Sequence, residues 1–183
     1  MGLSPRYREI YKLPAVLFWG ISVRNEDPEK QLAAALGRIT SGLFVLTVKR
    51  DQIETGMLAS WVQQCSFQPP RISVAINPDR PIASLLQRQS LFTLNILESD
   101  QTDMIVHFGR GFPLEDDAFR QLEIERGGPG GPVLSEALAA LECRVVDRIA
   151  VGDHDLFVAQ VLAGRLLGDG QPMAHFRKNG FHY

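Results

Sequence analysis

A run of small and hydroxyl residues near the middle of the chain is suited to hold a flat ligand. Segment 56–77 reads GMLASWVQQCSFQPPRISVAIN and places Gly56, Ala59 and Ser60 just before Trp61. Small side chains let a flat ligand approach the backbone, and Ser60 adds a hydroxyl beside backbone N–H groups that suit an anion. The same pattern fits an ordinary strand–loop–strand unit, because short polar motifs are common in loops. The ligand-binding interpretation predicts two strands with the site in their connection.

His154 marks a second candidate site, in the polar sequence 152–155 between two long apolar runs. A turn histidine between two aspartates is most often only solvated, but neighbouring carboxylates favour the charged imidazole, which attracts anions. His107, His175 and His182 lack the paired spacing of metal ligands, so no metal site is predicted.

The two cysteines, Cys65 and Cys143, are too few for a disulfide framework and lack the spacing of a zinc site. They indicate a reducing, cytoplasmic environment. Cys65 is interpreted as a small buried hydrophobe, with a reactive thiol as the alternative.

Composition and the N-terminus limit the classes of function. The chain has 183 residues, is 45% hydrophobic and 22% charged, and carries a formal net charge of -2, so nothing points to nucleic acid. The apolar run 15–23 follows several basic residues but lacks a cleavage site and is too short for a membrane span, so no membrane association is predicted. We interpret residues 1–25 as an arm that packs on the fold or on a partner subunit, and 26–183 as a single domain.

The remaining patterns position these sites on a mainly β fold with peripheral helices (α+β). Asp27 and Pro28 start a helix that Gly42 is expected to end. The stretch after Trp61 is predicted to be a polar turn ending in Pro69-Pro70. Predicted strands are 43–49, 53–62, 72–76, 91–97, 138–151, 156–167 and 173–176, and predicted short helices are 79–86, 101–108 and 116–122. Without a βαβ repeat, an antiparallel barrel is favoured over a doubly wound sheet.

Six motifs occur in one order: GMLASWVQQCSFQPP, SVAINPDRPIASLL, FTLNIL, PVLSEALAALECRVVD, GDHDLFVAQV and HFRKNGFHY. Over roughly 32–183 the chain thereby resembles the flavin reductase-like, FMN-binding split-barrel family, and within it the reductase domain at the C-terminus of cyanobacterial flavodiiron proteins. The resemblance implies an antiparallel FMN-binding split β-barrel, a homodimer and an NAD(P)H:flavin oxidoreductase. Hydride would pass from NADH or NADPH to FMN, and electrons on to a free flavin, a flavodiiron protein or another redox protein. Such chemistry needs no side-chain nucleophile, because the two rings carry it.

The resemblance also assigns roles to individual residues. The Gln64–Ser66 turn would offer backbone groups to the polar edge of the flavin, Arg80 and the helix it begins would meet the phosphate, and Phe108 would cover the ring. His154 would lie on the nicotinamide side as the catalytic residue. The residues assigned to the cofactor are Met57, Leu58, Ala59, Ser60, Trp61, Gln64, Cys65, Ser66, Ala75, Asn77, Arg80, Asn95 and Phe108.

The sequence departs from the wider family at Leu58, where many free-standing reductases carry a threonine, so a phosphate contact there is in doubt. Flavodiiron proteins also carry metallo-β-lactamase-like and flavodoxin-like domains, which this sequence lacks; the expectation from Met1 is a free-standing relative rather than a fragment. The alternative function is a non-catalytic FMN- or haem-binding split-barrel carrier or sensor.

Overall fold

An antiparallel β-sheet makes up most of the computed structural model, which describes residues 27–181. In chain order the elements are α1 (Pro28–Leu36), β1 (Ser41–Gly42), β2 (Phe44–Arg50), β3 (Ile53–Ala59), β4 (Val62–Phe67), β5 (Pro70–Ile76), a 3₁₀ helix (Pro81–Leu85), β6 (Leu91–Ile96), α2 (Thr102–Phe108), β7 (Ile124–Glu125), β8 (Val133–Leu134), β9 (Ala139–Ala150), β10 (Asp155–Leu166) and β11 (Ala174–His175). The mainly β prediction with peripheral helices is confirmed.

Seven strands form one curved sheet in the order β3-β2-β6-β9-β10-β5-β4, and every neighbouring pair is antiparallel. The two edge strands, β3 and β4, are consecutive in the chain. Ser60 and Trp61 alone separate the end of one from the start of the other. The sheet therefore returns almost to its own first edge without closing, which is the geometry of a split barrel. We call residues 59–62 the seam.

Alternation along the strands divides the core into two clusters. Leu46 pairs with Met57 across β2 and β3, and both side chains enter the cluster that fills the barrel. Val45 pairs with Leu58, and these face the second cluster, which packs between the outer side of the sheet and α2. Because successive strand residues point to opposite faces, the register of β3 decides which residues near the seam are core.

The first helix is shorter than predicted. Its start is as expected, since the Asp27 carboxylate accepts a hydrogen bond from Glu29 N–H at 3.1 Å. It ends at Gly37 rather than at Gly42, which lies in β1 and pairs with Ala174. The cause is tertiary: a Cβ at Gly37 would stand 2.5 Å from the Arg177 carbonyl oxygen, so the C-terminal segment packs where a longer helix would need side chains.

Two segments between the strands also differ from the prediction. Residues 62–67 form β4 rather than a polar turn, because they pair with the apolar strand β5 and leave only 68–69 as the connection. Residues 116–122 form turns, not a helix. There Asp117 Oδ1 accepts a hydrogen bond from Phe119 N–H at 3.0 Å, and Gln121 adopts a φ of 66° that no α-helix accommodates. The predicted arm, 1–25, lies outside the described residues.

Candidate functional site

Ser60 carries an unsatisfied polar atom at the seam. The residue is only 6% exposed, and its hydroxyl oxygen has no hydrogen-bond partner among the described residues. Among residues 27–181 the outer edges of β3 and β4 beside it have no strand partner either, which leaves their outward backbone N–H and C=O groups available within that range. Buried polar atoms are normally paired. The seam therefore fits a planar ligand with donors and acceptors along its edge, as a flavin has.

Trp61 is the centre of a stack of three side chains at the seam. Its ring centroid lies 4.7 Å from that of His154, at an interplanar angle of 52°. The guanidinium carbon of Arg177 lies 4.9 Å from the Trp61 ring centroid, a cation–π distance. The Trp61 main chain is fixed as well, because its carbonyl oxygen accepts the Ala75 N–H at 3.0 Å. The Trp61 indole is therefore the point where the seam, the turn between β9 and β10, and the C-terminal segment come into contact.

His154 is held in one orientation by its own turn. Its Nδ1 lies 2.9 Å from Asp153 Oδ1, and its side chain is 13% exposed whereas that of Asp153 is 89% exposed. The hydrogen bond from His154 lowers the pKa of the Asp153 carboxyl from its usual 3.8. Because an ionised carboxylate only accepts, this hydrogen bond places a proton on Nδ1.

The second aspartate of the turn has a different partner. Asp155 Oδ2 accepts a hydrogen bond from Arg148 Nε at 2.8 Å and forms an ion pair with the same guanidinium. Arg148 in turn lies over the Phe157 ring, 5.1 Å from its centroid. The expectation that both aspartates act on His154 therefore holds for Asp153 alone.

Arg80 joins the end of β5 to the turn after α2. Its Nη1 donates to the Arg110 carbonyl oxygen at 2.5 Å and its Nη2 to that of Gly109 at 3.3 Å. Gly111 has a φ of +72°, and a Cβ there would lie 3.2 Å from Arg80 Nη1. Within residues 27–181 these bonds use two of the five N–H donors of the Arg80 guanidinium. The remaining donors can bind an anion.

The residues around Arg80 bear on its predicted role. Asn77 turns the chain, since its Oδ1 accepts the Asp79 N–H at 2.8 Å and its carbonyl oxygen accepts the Arg80 N–H at 3.0 Å. The following helix is a single five-residue 3₁₀ segment. It adds little of the helix-dipole attraction that the sequence suggested for a phosphate, which leaves the guanidinium as the main cationic group.

Four predicted cofactor residues lie in the core. Met57 and Ala59 point into the barrel. Phe108 is fully buried in the second cluster, 5.8 Å between ring centroids from Phe112. Asn95 is also fully buried; its Nδ2 donates to the Val45 carbonyl oxygen at 3.2 Å, and its Oδ1 accepts the Leu134 N–H at 2.9 Å. The sheet face sets the positions of the three strand residues, and the packing of α2 sets that of Phe108.

The other predicted residues lie along the open edge. Gln64 and Cys65 are exposed on β4, at a break in its register with β5, so Cys65 is not the buried hydrophobe that the sequence suggested. Ser66 and Ala75 are half-buried on the same pair of strands. Leu58 is half-buried and packs on the second cluster, outside the barrel.

A groove of about 460 Å³ opens at one end of the barrel beside β4. Its lining is mostly apolar, with two glutamines and an arginine at the rim: Gly42, Phe44, Val62, Gln63, Gln64, Pro70, Arg71, Ile72, Leu94, Ile96, Leu141 and Val161. Such a concave apolar surface next to the seam is typical of a ligand or partner contact.

Residues 27–181 also bear on three other possibilities: a metal site, a reactive buried thiol and a membrane-spanning helix. The structure brings together no group of three or more metal-ligating side chains in that range. Burial raises the pKa of the Cys143 thiol to about 12, so this cysteine is inert at neutral pH. In the same range no helix is long and apolar enough to cross a membrane.

Arg177 is the site residue that sequence reasoning missed. The motif HFRKNGFHY contains it, but neither its spacing nor its charge links it to Trp61, which lies far away in the chain. The only available signal was a basic residue flanked by aromatic residues at the end of a barrel. That pattern is too common to assign a contact.

Comparison with known proteins finds the same fold in solved structures and a family model that matches the chain. The flavin reductase like domain matches residues 36–182. The NADH:FAD oxidoreductase SgcE6 of Streptomyces globisporus C-1027 has a TM-score of 0.76 and 26% identity, covering 87% of this chain and 95% of its own. The styrene monooxygenase flavin reductase of Pseudomonas putida S12 has a TM-score of 0.67 and 26% identity, covering 78% and 90%.

Curated relatives are longer. The putative diflavin flavoprotein A 3 of Synechocystis is 42% identical over 163 residues, which cover 88% of this chain and 27% of the relative. Diflavin flavoprotein A 1 of the same organism is 40% identical, covering 85% and 27%. The chain thus spans about a quarter of the length of these relatives. The family match covers most of this chain, and the chain folds as a split barrel. The chain therefore belongs to the flavin reductase like domain family.

Proposed function

We propose that the protein is an NAD(P)H-dependent flavin reductase that binds FMN at the seam. The observation that carries the proposal is the contact of Trp61 with His154 next to Ser60, whose hydroxyl has no hydrogen-bond partner within residues 27–181. The contact between Trp61 and His154 places a surface that suits a planar cofactor beside an imidazole that can bind a second ligand. The solved relative SgcE6, an NADH:FAD oxidoreductase, was also captured in complex with NAD and FAD fragments, which supports both a flavin and a nicotinamide ligand on this fold.

The flavin half of the proposed site uses three kinds of group. Ser60 donates or accepts one hydrogen bond, the open edges of β3 and β4 offer backbone partners, and Arg80 pairs with the terminal phosphate through donors that it does not use on Gly109 and Arg110. FMN in this position supplies the two-electron redox centre. A phosphate-terminated pocket with one arginine and no GxGxxG sequence favours FMN over FAD.

The nucleotide half is proposed to lie on the Nε2 side of His154. Asp153 accepts the proton carried by Nδ1, which leaves Nε2 to form a hydrogen bond with the carboxamide of NADH or NADPH. Trp61 keeps water from one face of the imidazole. The residue thereby orients the hydride donor and takes no covalent part.

Electrons would leave to a free flavin or to a redox protein. The diflavin flavoprotein relatives carry a similar domain over about a quarter of their length, which makes a flavodiiron protein one class of acceptor. A homodimer is also proposed, because the apolar groove at the barrel mouth is exposed in a single chain and adjoins the seam.

Anaerobic mixing tests the enzymatic proposal against the carrier or sensor alternative. Protein loaded with FMN is mixed separately with NADH and NADPH while the oxidised flavin absorbance is followed. Bleaching within seconds with at least one nucleotide is the expected result. A spectrum that stays oxidised with both nucleotides would reject the reductase and favour a non-catalytic FMN-binding protein.

A further inference from the structure

The C-terminal segment 177–180 is packed against α1 without room for side chains at two points. A Cβ at Gly180 would stand 2.2 Å from the Leu36 Cβ, and one at Gly37 would stand 2.5 Å from the Arg177 carbonyl oxygen. Two backbone hydrogen bonds cross the same contact, from Arg177 N–H to the Gly37 carbonyl oxygen at 3.0 Å and from Gly180 N–H to that of Ala33 at 2.6 Å. The main chain of Arg177 is therefore fixed to the helix.

The side chain of Arg177 extends from this anchor to the site. Its Nη1 donates to the Gly180 carbonyl oxygen at 3.4 Å, and its guanidinium carbon lies 4.9 Å from the Trp61 ring centroid. Trp61 in turn lies 4.7 Å from His154, measured between ring centroids. A continuous series of contacts thus runs from α1 through Arg177 and Trp61 to the imidazole.

We propose that Arg177 is a positioning residue that holds the Trp61 ring against His154, so that α1 and the C-terminal segment orient the nucleotide side of the site. Its importance for hydride transfer rests on the proposed function, whereas its hold on Trp61 does not. Trp61 lies in the two-residue connection between the sheet edges. A planar guanidinium covers an aromatic ring more fully than an ammonium does, so lysine is an incomplete substitute.

Trp61 fluorescence reports the contact without any cofactor or nucleotide. Acrylamide quenches indole emission on collision, so a ring covered by neighbouring side chains is quenched weakly. The chain has two tryptophans, so replacing Trp19 with phenylalanine leaves Trp61 as the sole fluorophore. His154 and Arg177 both contact that ring.

The experiment measures acrylamide quenching of the full-length Trp19→Phe protein at a single pH. Arg177→Gln should raise the quenching constant of Trp61 at least twofold, and Arg177→Lys should restore part of the protection. Lys178→Gln, at the exposed neighbouring cation, should leave the constant unchanged. Circular dichroism confirms that each variant is folded.

Two outcomes would overturn the proposal: an unchanged quenching constant in folded Arg177→Gln, or an equal rise in Lys178→Gln. Flavin reduction is measured separately on the same variants. Arg177→Gln is expected to lower kcat/KM for the nucleotide about fivefold, the effect of losing one cation–π contact of about 1 kcal/mol. A raised quenching constant in a protein that reduces no flavin would reject the proposed function and keep Arg177 as the residue that positions Trp61.

Discussion

Replacing His154 with alanine should weaken the hydride-donor nucleotide without weakening FMN. One ring nitrogen is bound to Asp153, one face packs on Trp61, and the side chain is only 13% exposed. The remaining Nε2 can make one hydrogen bond to the visiting ligand. One such bond to a charged or polar group contributes about 1–2 kcal/mol, so kcat/KM for the nucleotide should fall about 5- to 30-fold.

The assay is anaerobic stopped-flow reduction over a series of nucleotide concentrations, with FMN affinity measured separately by flavin fluorescence. His175→Ala is the matched control, because that histidine lies on β11 and pairs with Ser41, outside the site. Loss of FMN from His154→Ala with normal reduction at saturating flavin would place the residue in the flavin site. No change in either quantity would make it a solvated turn residue, and the reasoning would be refuted.

Two further substitutions and one mass measurement test the phosphate contact, the core and the proposed dimer. Arg80→Ala should weaken FMN by about 1–3 kcal/mol while riboflavin binding changes little, as titration calorimetry with both ligands can show; equal losses would remove Arg80 from the phosphate. Asn95→Ala should lower the free energy of unfolding by about 2–3 kcal/mol in urea without changing FMN affinity per folded protein, because its amide bonds Val45 and Leu134 in the core; a selective loss of FMN would return it to the site. Light scattering at micromolar concentration should give the mass of a dimer, and a monomeric mass would contradict the proposed use of the apolar groove.

Most strands of the fold could be predicted from local sequence patterns. The long apolar runs predicted strands at 138–151 and 156–167, and the structure has Ala139–Ala150 and Asp155–Leu166. Branched and apolar residues dominate these strands, and the tight turn between them is rich in polar residues. β4 was missed for the opposite reason: most of its side chains are polar or exposed, so at an open sheet edge it lacks the alternation that identifies a strand.

The site was less predictable because side-chain direction depends on long-range pairing. Asn95 and Phe108 have the chemistry to contact a flavin, but the sheet register and the packing of α2 direct both into the core. The premature end of α1 at Gly37 and the approach of Arg177 to Trp61 both arise from the C-terminal segment, whose position no local pattern encodes. His154 was found because a polar turn between long strands is visible in the sequence.

The most direct test of hydride transfer at the seam is a stopped-flow comparison of reduction by ordinary nucleotide and by nucleotide carrying deuterium at the donated position. The wild-type protein with FMN bound should bleach more slowly with the deuterated donor, because the C–H bond breaks as the flavin is reduced. Identical rates, with reduction that is slow and independent of nucleotide concentration, would contradict direct transfer. Absence of any reduction would contradict the reductase itself.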